Sequence, residues 1–444
     1  MQTYELKGKN KYWSLYKKLR GDILEGRLKK GERLPSKRAL AESLNVSVVT
    51  VQSAYDQLLA EGYIYSRERS GYFVSDVNVE FYGRRGHSPV QRAQEKKYSI
   101  DFVRGTASSL FPFSTWTRLM RAVLADCGEH LLESVPCDGD TDLKNAVADY
   151  LYRARGIDAD PRYIVIGAGA EYLYGVIVQL LGRDKLFAVE NPGYGKISKT
   201  YILNGAKCVY IPVTDCGADC DAAERSGADV LHLSPSHQFP TGAVTPASSR
   251  ARLIAWANAG GRYVVEDDYD SEFRLSGKPL QSMFSLCPDR VIYMNTFSKS
   301  LAPSMRMGYM VLPPALYERY LQLFSHSANV VPLFEQKTLA KMLDGGYFER
   351  HINRLKNHYR TVRQAVLDKA SELGCTIKDT GSGLHLLVSF NGASDLAVKE
   401  RAERAGINLK CLSDYLLSPM DGAEGWAVIN YTGVSPEAVS TIKL

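Results

Sequence analysis

The first 75 residues alternate apolar and polar positions at the spacing of short amphipathic helices. Leu15, Leu19 and Ile23 recur at helical intervals and predict a first helix from Lys11 to Glu25. Ser36 stands where its hydroxyl can accept a hydrogen bond from the free N–H groups of a first helical turn. It therefore predicts the start of a second, shorter helix.

Ser47 predicts the start of a third helix in the same way, because an apolar stripe at helical spacing follows it. Residues 61–74 then alternate as two strands around a polar turn that contains Gly71. Two short helices joined by a tight turn, with small polar side chains at the start of the second, have helix-turn-helix geometry. The pattern predicts a DNA-binding unit with a hairpin wing, and a purely structural three-helix unit is the alternative.

The longer part of the chain follows a different pattern. From Ile100 onward, helical stretches alternate with short apolar strands, which favours an α/β domain with a mostly parallel sheet. Residues 76–99 are polar and charged without sustained periodicity, as is typical of a linker. The predicted organisation is a DNA-binding domain at 1–75, a linker at 76–99 and an effector domain at 100–444.

One strand end predicts the chemistry of the large domain. Residues 291–294 form an apolar strand, and Thr296, Ser298, Lys299 and Arg306 follow it. A lysine amine can condense with an aldehyde, while hydroxyls and a bidentate guanidinium can hold a phosphate. This combination suggests a Schiff base between Lys299 and pyridoxal 5′-phosphate. A strand end with solvated polar side chains is the alternative.

Four further strand ends offer groups that suit a flat, phosphorylated heterocycle. Backbone N–H groups after a glycine turn can bind a phosphate, and an aromatic ring can stack on a pyridine. A histidine, a carboxylate and a phenol can hydrogen-bond to the ring and set its protonation. The residues at these positions are Ala168, Gly169, Ala170, Tyr194, His237, Asp267 and Tyr269. For Tyr194 the alternative is a core tyrosine, and for the stretch with Asp267 it is a solvated acidic loop or cation site.

The excess positive charge of the chain lies at its N-terminal end. Residues 1–75 hold 14 lysines and arginines against 8 aspartates and glutamates, which accounts for the whole net charge of +6. A basic module attached to a neutral body predicts an anionic partner for the module, most simply double-stranded DNA. A solubilising face is the alternative.

Composition places the chain among globular proteins, with 45% hydrophobic and 23% charged residues. No apolar run reaches the roughly 20 residues of a membrane span, and the N-terminus has no signal-peptide core, so we expect a cytoplasmic protein without membrane contact. The 8 cysteines are scattered without zinc spacing. They predict reduced thiols and no metal site.

The first unit carries Leu-Pro-Ser-Lys-Arg at 34–38 and Ser-Val-Val-Thr-Val at 47–51. With its hairpin, it resembles the winged-helix domain of GntR-type bacterial regulators. Many members of that family carry arginine where this chain has Val48, which bears on base recognition at that position. The resemblance and the wing imply contacts with DNA from Ser36, Lys37, Arg38, Ser47, Thr50, Gln52, Arg67, Arg69 and Gly71.

The five chemical elements of the large domain occur in the order seen in fold type I pyridoxal-phosphate aminotransferases, which residues 100–444 resemble. The resemblance implies that Lys299 is the Schiff-base lysine, that Asp267 pairs with the pyridinium nitrogen and that Tyr269 contacts the ring oxygen. Tyr194 would be the stacking ring. The groups around the phosphate would be Ala168, Gly169, Ala170, Thr296, Ser298 and Arg306.

A winged helix fused to such a domain is the architecture of the MocR subgroup of GntR-type regulators, and residues 234–242 and 266–274 closely match that subgroup. Two departures from the aminotransferase pattern matter. Phe239 stands where aminotransferases usually carry asparagine, and Val428 stands where they carry the arginine that grips a substrate carboxylate. Lys196 and Arg104 are the candidate substitutes for that arginine.

These features together predict a homodimeric transcription regulator that binds pyridoxal 5′-phosphate. Its signal would be the cofactor itself, as in vitamin B6 synthesis regulators of the subgroup, or an amino acid. At most a vestigial transaminase activity is expected. An active aminotransferase with a DNA-binding head and a dimerisation body without cofactor are the alternatives.

Overall fold

The computed structural model describes residues 11–77, 96–104, 110–275, 280–379, 381 and 383–442. The chain divides into two compact units, Met1–Glu95 and Lys96–Leu444. Most of the predicted linker, residues 78–95, lies outside the described residues. Each unit has its own hydrophobic core.

The smaller unit contains three helices and one hairpin. Serine caps start the second and third helices, since Ser36 Oγ accepts from the Ala39 N–H at 3.2 Å and Ser47 Oγ accepts from the Thr50 N–H at 3.2 Å. Asn45, between those helices, takes a left-handed conformation with φ of 51°. The elements are α1 Lys11–Leu24, α2 Lys37–Ser43, α3 Val48–Ala60, β1 Ile64–Arg67 and β2 Gly71–Val74.

The larger unit alternates helices and strands over most of its length. Its helices are α4 Phe113–Cys127, α5 Thr141–Arg155, α6 Ala170–Leu181, α7 Lys196–Leu203, α8 Cys220–Arg225, α9 Ala247–Ala259, α10 Met283–Leu286, α11 Pro314–Phe324, α12 Leu333–Asp344, α13 Tyr347–Glu372, α14 Asp395–Arg404 and α15 Pro436–Ser440. Its strands are β3 Ile100–Asp101, β4 Ile164–Gly167, β5 Leu186–Asn191, β6 Lys207–Thr214, β7 Gly217–Ala218, β8 Val230–Leu233, β9 Tyr263–Asp267, β10 Val291–Thr296, β11 Gly308–Val311, β12 Thr376–Lys378, β13 His385–Ser389, β14 Ile407–Asn408, β15 Lys410–Cys411 and β16 Trp426–Asn430.

The main sheet has eight strands in the order β4-β11-β10-β9-β8-β5-β6-β7. The five adjacent strands from β10 to β6 pair in parallel, and the pairs at the two ends of the sheet are antiparallel. Strands β8, β9 and β10 are almost entirely buried, which explains their unbroken apolar runs. This confirms the predicted mostly parallel sheet. The carboxyl ends of β5, β8, β9 and β10 therefore open at one edge.

A second, antiparallel sheet with the order β12-β13-β16-β15 lies in the C-terminal part of the chain. All eight cysteines are free thiols, as the sequence predicted. Among the described residues, the structure contains no helix long and apolar enough to cross a bilayer.

Candidate cofactor site and nucleic-acid interface

Lys299 lies in the loop that leaves the carboxyl end of β10. Burial lowers the pKa of its amine, and the charge of Lys196 lowers it further, while Asp270 opposes the shift. A lowered pKa enlarges the neutral fraction of the amine, which is the nucleophilic form. The surroundings of Lys299 therefore favour the neutral amine that condensation with an aldehyde requires.

Asp267 ends β9, and its carboxylate is buried beside that loop because Asp267 pairs in register with Met294 of β10. The Tyr174 hydroxyl donates to Asp267 Oδ2 at 2.6 Å, and His232 Nε2 lies 3.4 Å from the same oxygen. The Tyr201 hydroxyl contacts the other ring nitrogen of His232 at 2.6 Å. Tyr174 and His232 thus both contact Asp267 Oδ2 and hold the carboxylate in place.

The sequence did not identify Tyr174, Tyr201 or His232 as members of the site. Their only visible signal was a histidine inside the apolar strand β8, which alone is common in protein cores. Burial raises the pKa of Tyr174 far above its usual value, and the nearby Asp267 raises it further. The phenol therefore remains a hydrogen-bond donor to the carboxylate.

Glu190 is a second buried carboxyl group at this edge, near the end of β5. Burial raises its pKa to about 8, against hydrogen bonds from the Ser234 backbone N–H and Gln238 that lower it. At pH 7 the group is therefore mostly neutral, and it adds little negative charge near Asp267.

The glycine turn and Arg306 meet at the N-terminus of α6. Gly169 has a φ of 87°, a backbone conformation that favours glycine, and a Cβ there would lie 2.9 Å from Arg306 Nη2. Arg306 Nη2 donates to the Ala168 carbonyl at 3.3 Å. Ala170 begins α6, whose first N–H groups have no carbonyl partner within the helix and point towards an anion site. The structure therefore brings these four predicted residues together.

Thr296 and Ser298 both lie at the carboxyl end of β10. Thr296 is the last residue of the strand and is buried, whereas Ser298 is half-buried in the loop. Both precede Lys299 closely, so they remain at the same strand end.

Glu171 is an unexpected member of this end of the site. Its carboxylate accepts from Arg306 Nη2 at 2.7 Å and lies 3.3 Å from Lys196 Nζ. Burial alone would raise the pKa of Glu171, but the hydrogen bonds from Arg306 and Lys196 outweigh burial and lower it to about 2. The Glu171 carboxylate thus binds Arg306, the cation that the sequence analysis assigned to a phosphate.

Tyr194 presents its ring to the opening of the site and is 40% exposed. Lys196 Nζ lies 5.8 Å from the ring centroid, and the Phe239 ring meets Tyr194 edge-on at 6.1 Å. The exposed ring is free to stack on a flat ligand.

Tyr269 follows β9 and contacts the predicted His237. The Tyr269 hydroxyl lies 3.3 Å from His237 Nδ1, and the same nitrogen lies 2.8 Å from Asp270 Oδ2. Burial, and then the charge of Asp270, raise the pKa of Tyr269 well above its usual value. The His385 ring, at the start of β13, also lies tilted against the His237 ring, and the sequence had not predicted it.

The two positions that depart from the aminotransferase pattern are apolar in their surroundings as well. Val428 is buried in a cluster with Leu387 and Leu412, and Phe239 packs against that cluster. Phe239 also meets Tyr415 edge-on at 5.0 Å. Of the two candidate substitutes, Lys196 lies beside Tyr194, and Arg104 is exposed just after β3.

The predicted DNA-binding residues of α2 and α3 lie near one another. Lys37 Nζ donates to Gln52 Oε1 at 2.5 Å, and this contact joins the two helices. Arg38 is exposed, and Thr50 lies in the first turn of α3, where its hydroxyl contacts Ser47 Oγ at 2.9 Å. Their polar side chains surround the start of α3, which is the part of a recognition helix that reads bases.

The wing carries its two arginines at the tip of the β1–β2 hairpin. The Arg67 guanidinium lies over the Phe73 ring at 5.1 Å and over the Tyr65 ring at 5.4 Å. Arg69 and Gly71 both have positive φ, at 59° and 106°, so they shape the turn. Val48, in place of the family's arginine, is 45% exposed at the start of α3.

Two family models match the chain in its two units. "Bacterial regulatory proteins, gntR family" matches residues 11–74, and "Aminotransferase class I and II" matches residues 107–441. The chain is 37% identical to the uncharacterized HTH-type transcriptional regulator YdeL of Bacillus subtilis, over 90% of this chain and 88% of that protein. It is 32% identical to the probable rhizopine catabolism regulatory protein MocR of Rhizobium meliloti, over 96% and 90%.

A further relative is the pyridoxine biosynthesis transcriptional regulator PdxR of Corynebacterium glutamicum, at 31% identity over 90% of this chain and 88% of that protein. Among solved structures, the α-aminoadipate aminotransferase LysN of Thermus thermophilus superposes with a TM-score of 0.68 at 23% identity, covering 81% of this chain and 94% of that one. Fold and site therefore define a helix-turn-helix transcription regulator with a fold type I aminotransferase-like domain. The chain belongs to the MocR-type regulators of the GntR family.

Proposed function

We propose that this regulator binds pyridoxal 5′-phosphate covalently at Lys299, and that the bound cofactor controls how a cytoplasmic homodimer engages operator DNA. The observation that carries the proposal is the half-buried lysine with a lowered pKa at the strand edge that also holds the buried Asp267. When bound, the cofactor would supply an electrophilic carbonyl carbon joined to an electron-withdrawing ring.

The residues of the site suit the parts of this cofactor. Asp267 would pair with the ring N–H and Tyr269 would donate to the ring oxygen, while the exposed ring of Tyr194 would stack on the pyridine. Arg306 would bind the phosphate together with the backbone N–H groups at the start of α6. Winged-helix dimers read half-sites whose separation depends on the arrangement of the two heads. A ligand that favours one arrangement of the body therefore changes DNA affinity.

We further propose that the cofactor itself is the signal. An amino-acid signal would need an anchor for its carboxylate, and the loss of a bidentate arginine removes about 1.5–3 kcal/mol of charge-assisted binding. Val428 and Phe239 instead lie in an apolar cluster. The relative PdxR, named for pyridoxine biosynthesis, supports this choice. The test is a titration of DNA binding with pyridoxal 5′-phosphate, with and without amino acids. A response that requires an amino acid would contradict the cofactor as signal.

Replacing Glu171 with glutamine should tighten the binding of pyridoxal 5′-phosphate. Glu171 bonds to Arg306 and lies near Lys196, so its negative charge competes with a phosphate for the same cations. We expect an affinity gain of about fivefold, the equivalent of ~1 kcal/mol. Equilibrium titration followed by cofactor absorbance measures it.

Pyridoxal, which lacks the phosphate, is the matched control ligand for Glu171→Gln. Its affinity should stay unchanged, because it has no group that competes with Glu171. An equal gain in affinity for both ligands would show that Glu171 does not compete with the phosphate.

Replacing Arg38 with alanine should weaken DNA binding and reduce the slope of log K against log salt by about 1, since one phosphate contact would be lost. Fluorescence anisotropy at several salt concentrations measures both quantities. Lys17→Ala on α1 is the control, because it removes the same charge from another exposed position of this unit. Equal slopes for Arg38→Ala and the unmodified chain would exclude Arg38 from the DNA contact.

An active aminotransferase is the second candidate function. It is favoured by the arrangement of Lys299, Asp267 and Tyr194, and by 29% identity over 59% of this chain to the 2-aminoadipate transaminase of Thermus thermophilus. Lys299 would then also move a proton at the substrate carbon. Steady turnover of an amino acid and keto acid pair at ordinary enzyme rates would establish this function. If no turnover is measured, the regulatory function is the one that stands.

A further inference from the structure

Three side chains, one of them a predicted cofactor-site residue, form a compact buried group beside Lys299. They are His237, Asp270 and His385, and nitrogen or oxygen atoms of the three lie within 4.8 Å of one another. The ring centroids of His237 and His385 are 4.6 Å apart. Asp270 and His385 both interact electrostatically with Lys299, so the group borders the reactive amine.

The surrounding hydrogen bonds determine the tautomer of each histidine. His237 Nδ1 lies 2.8 Å from Asp270 Oδ2, so this nitrogen carries the proton and donates it to the carboxylate. The His385 ring donates to the Pro240 carbonyl. Within the described part of the chain, Nε2 of both histidines is buried and has no hydrogen-bond partner. Nδ1 is therefore the donor in His385 too, and in the neutral form of each imidazole the buried Nε2 atom carries a lone pair.

Neither imidazole can easily turn to offer a donor instead. A Cβ at Gly383 would lie 1.8 Å from the His237 ring, so the backbone there packs directly on this ring. The Gly383 carbonyl is in turn held by the Tyr431 hydroxyl at 2.5 Å. Burial lowers the pKa of His385 well below its usual value, which also keeps that ring neutral. Nε2 of His385 is therefore an acceptor, and the packing against Gly383 holds the His237 ring with Nδ1 towards Asp270.

Buried acceptors without a partner are costly, so the group favours a ligand that brings donors. A carboxylate has only acceptors, and here it would face two lone pairs and the charge of Asp270. The Phe239 ring, 5.0 Å from the His385 ring, adds an apolar wall on the other side. A ligand carboxylate would therefore meet acceptors at this group, and Val428 offers it no guanidinium.

We propose that His237 and His385 recognise a hydroxyl or second amino group on a small, carboxylate-free primary amine that binds beside Lys299 as a further effector. The inference rests on the proposed cofactor function and names its second ligand. The amine nitrogen would form a bond to the cofactor's carbonyl carbon as the bond from that carbon to Lys299 Nζ breaks. The lysine leaves as a free amine, with no net oxidation or loss of atoms.

The test uses the full chain loaded with pyridoxal 5′-phosphate and four amines of similar size. Ethanolamine carries a hydroxyl, 1,2-diaminoethane a second amino group, propylamine a methyl group and glycine a carboxylate. Titrations followed by cofactor absorbance should show at least one of the two donor-bearing amines binding about tenfold more tightly than propylamine, with glycine weakest. The tighter-binding of these two amines shows whether the hydrogen-bond donor on the ligand is a hydroxyl or an amino group.

His385→Phe should abolish the preference for donor-bearing amines over propylamine, because it removes one acceptor at similar volume. His326→Gln, at an exposed position, is the control and should keep the preference. The inference is contradicted if the unmodified chain loads the cofactor but binds propylamine or glycine as tightly as it binds ethanolamine and 1,2-diaminoethane. A chain that shows no cofactor absorbance overturns the proposed function and this inference together.

Discussion

A chain that carries Lys299→Ala will form no borohydride-stable adduct with pyridoxal 5′-phosphate. The amine of Lys299 has a pKa lowered mainly by burial, so we expect it to be the nucleophile that binds the cofactor. Reduction with borohydride followed by peptide mapping should place the added mass on residue 299 in the unmodified chain and nowhere in the variant. The visible absorbance of the bound cofactor should disappear with it.

Lys199→Ala is the matched control for that experiment, since Lys199 is exposed on the neighbouring helix α7. It should keep the adduct in full. Nonspecific DNA affinity should be equal in all three chains, because the predicted DNA contacts lie in the smaller unit. An adduct of undiminished yield in Lys299→Ala would show that another amine binds the cofactor.

Replacing Asp268 with alanine should cost the larger unit about 3–5 kcal/mol of stability, the usual effect of leaving a buried charge without its partner. Asp268 and Arg155 form an ion pair at 2.7 Å, and both side chains are almost fully buried. Tyr293 also donates to Asp268 Oδ2 at 2.7 Å. Urea denaturation followed by circular dichroism measures the change in the unfolding free energy.

Asp221→Ala is the control for this stability measurement. Asp221 pairs with Arg252 on the exposed surface, where solvent screens the interaction, so its loss should change stability little. A chain that combines Asp268→Leu with Arg155→Leu should recover much of the lost stability, because it removes both charges. If Asp268→Ala were as stable as Asp221→Ala, Arg155 would have found another partner.

The local elements of this protein follow closely from its sequence. The first helix was predicted at Lys11 to Glu25 and spans Lys11–Leu24, and the strand predicted at 291–294 spans Val291–Thr296. Ser36 and Ser47 cap their helices as predicted. These features were predictable because helix caps and apolar periodicity depend on residues a few positions apart.

Several members of the site had no local signal. Tyr174 and His232 hold Asp267, and Glu171 bonds to the arginine that the sequence assigned to a phosphate. His385 comes from a strand of the second sheet, more than a hundred residues after His237 in the chain. Such contacts arise only when separate strands and helices pack, so no spacing in the sequence reveals them.

The sequence by itself determined which residues could carry chemistry, because strand ends, glycine turns and capping serines are local features. Only the tertiary structure decided how those residues are tuned. Burial lowers the pKa of Lys299 and raises that of Glu190, and among the described residues Nε2 of His237 and of His385 has no hydrogen-bond partner. The physical reason is that desolvation and charge act through space, and the fold alone determines which groups lie close together.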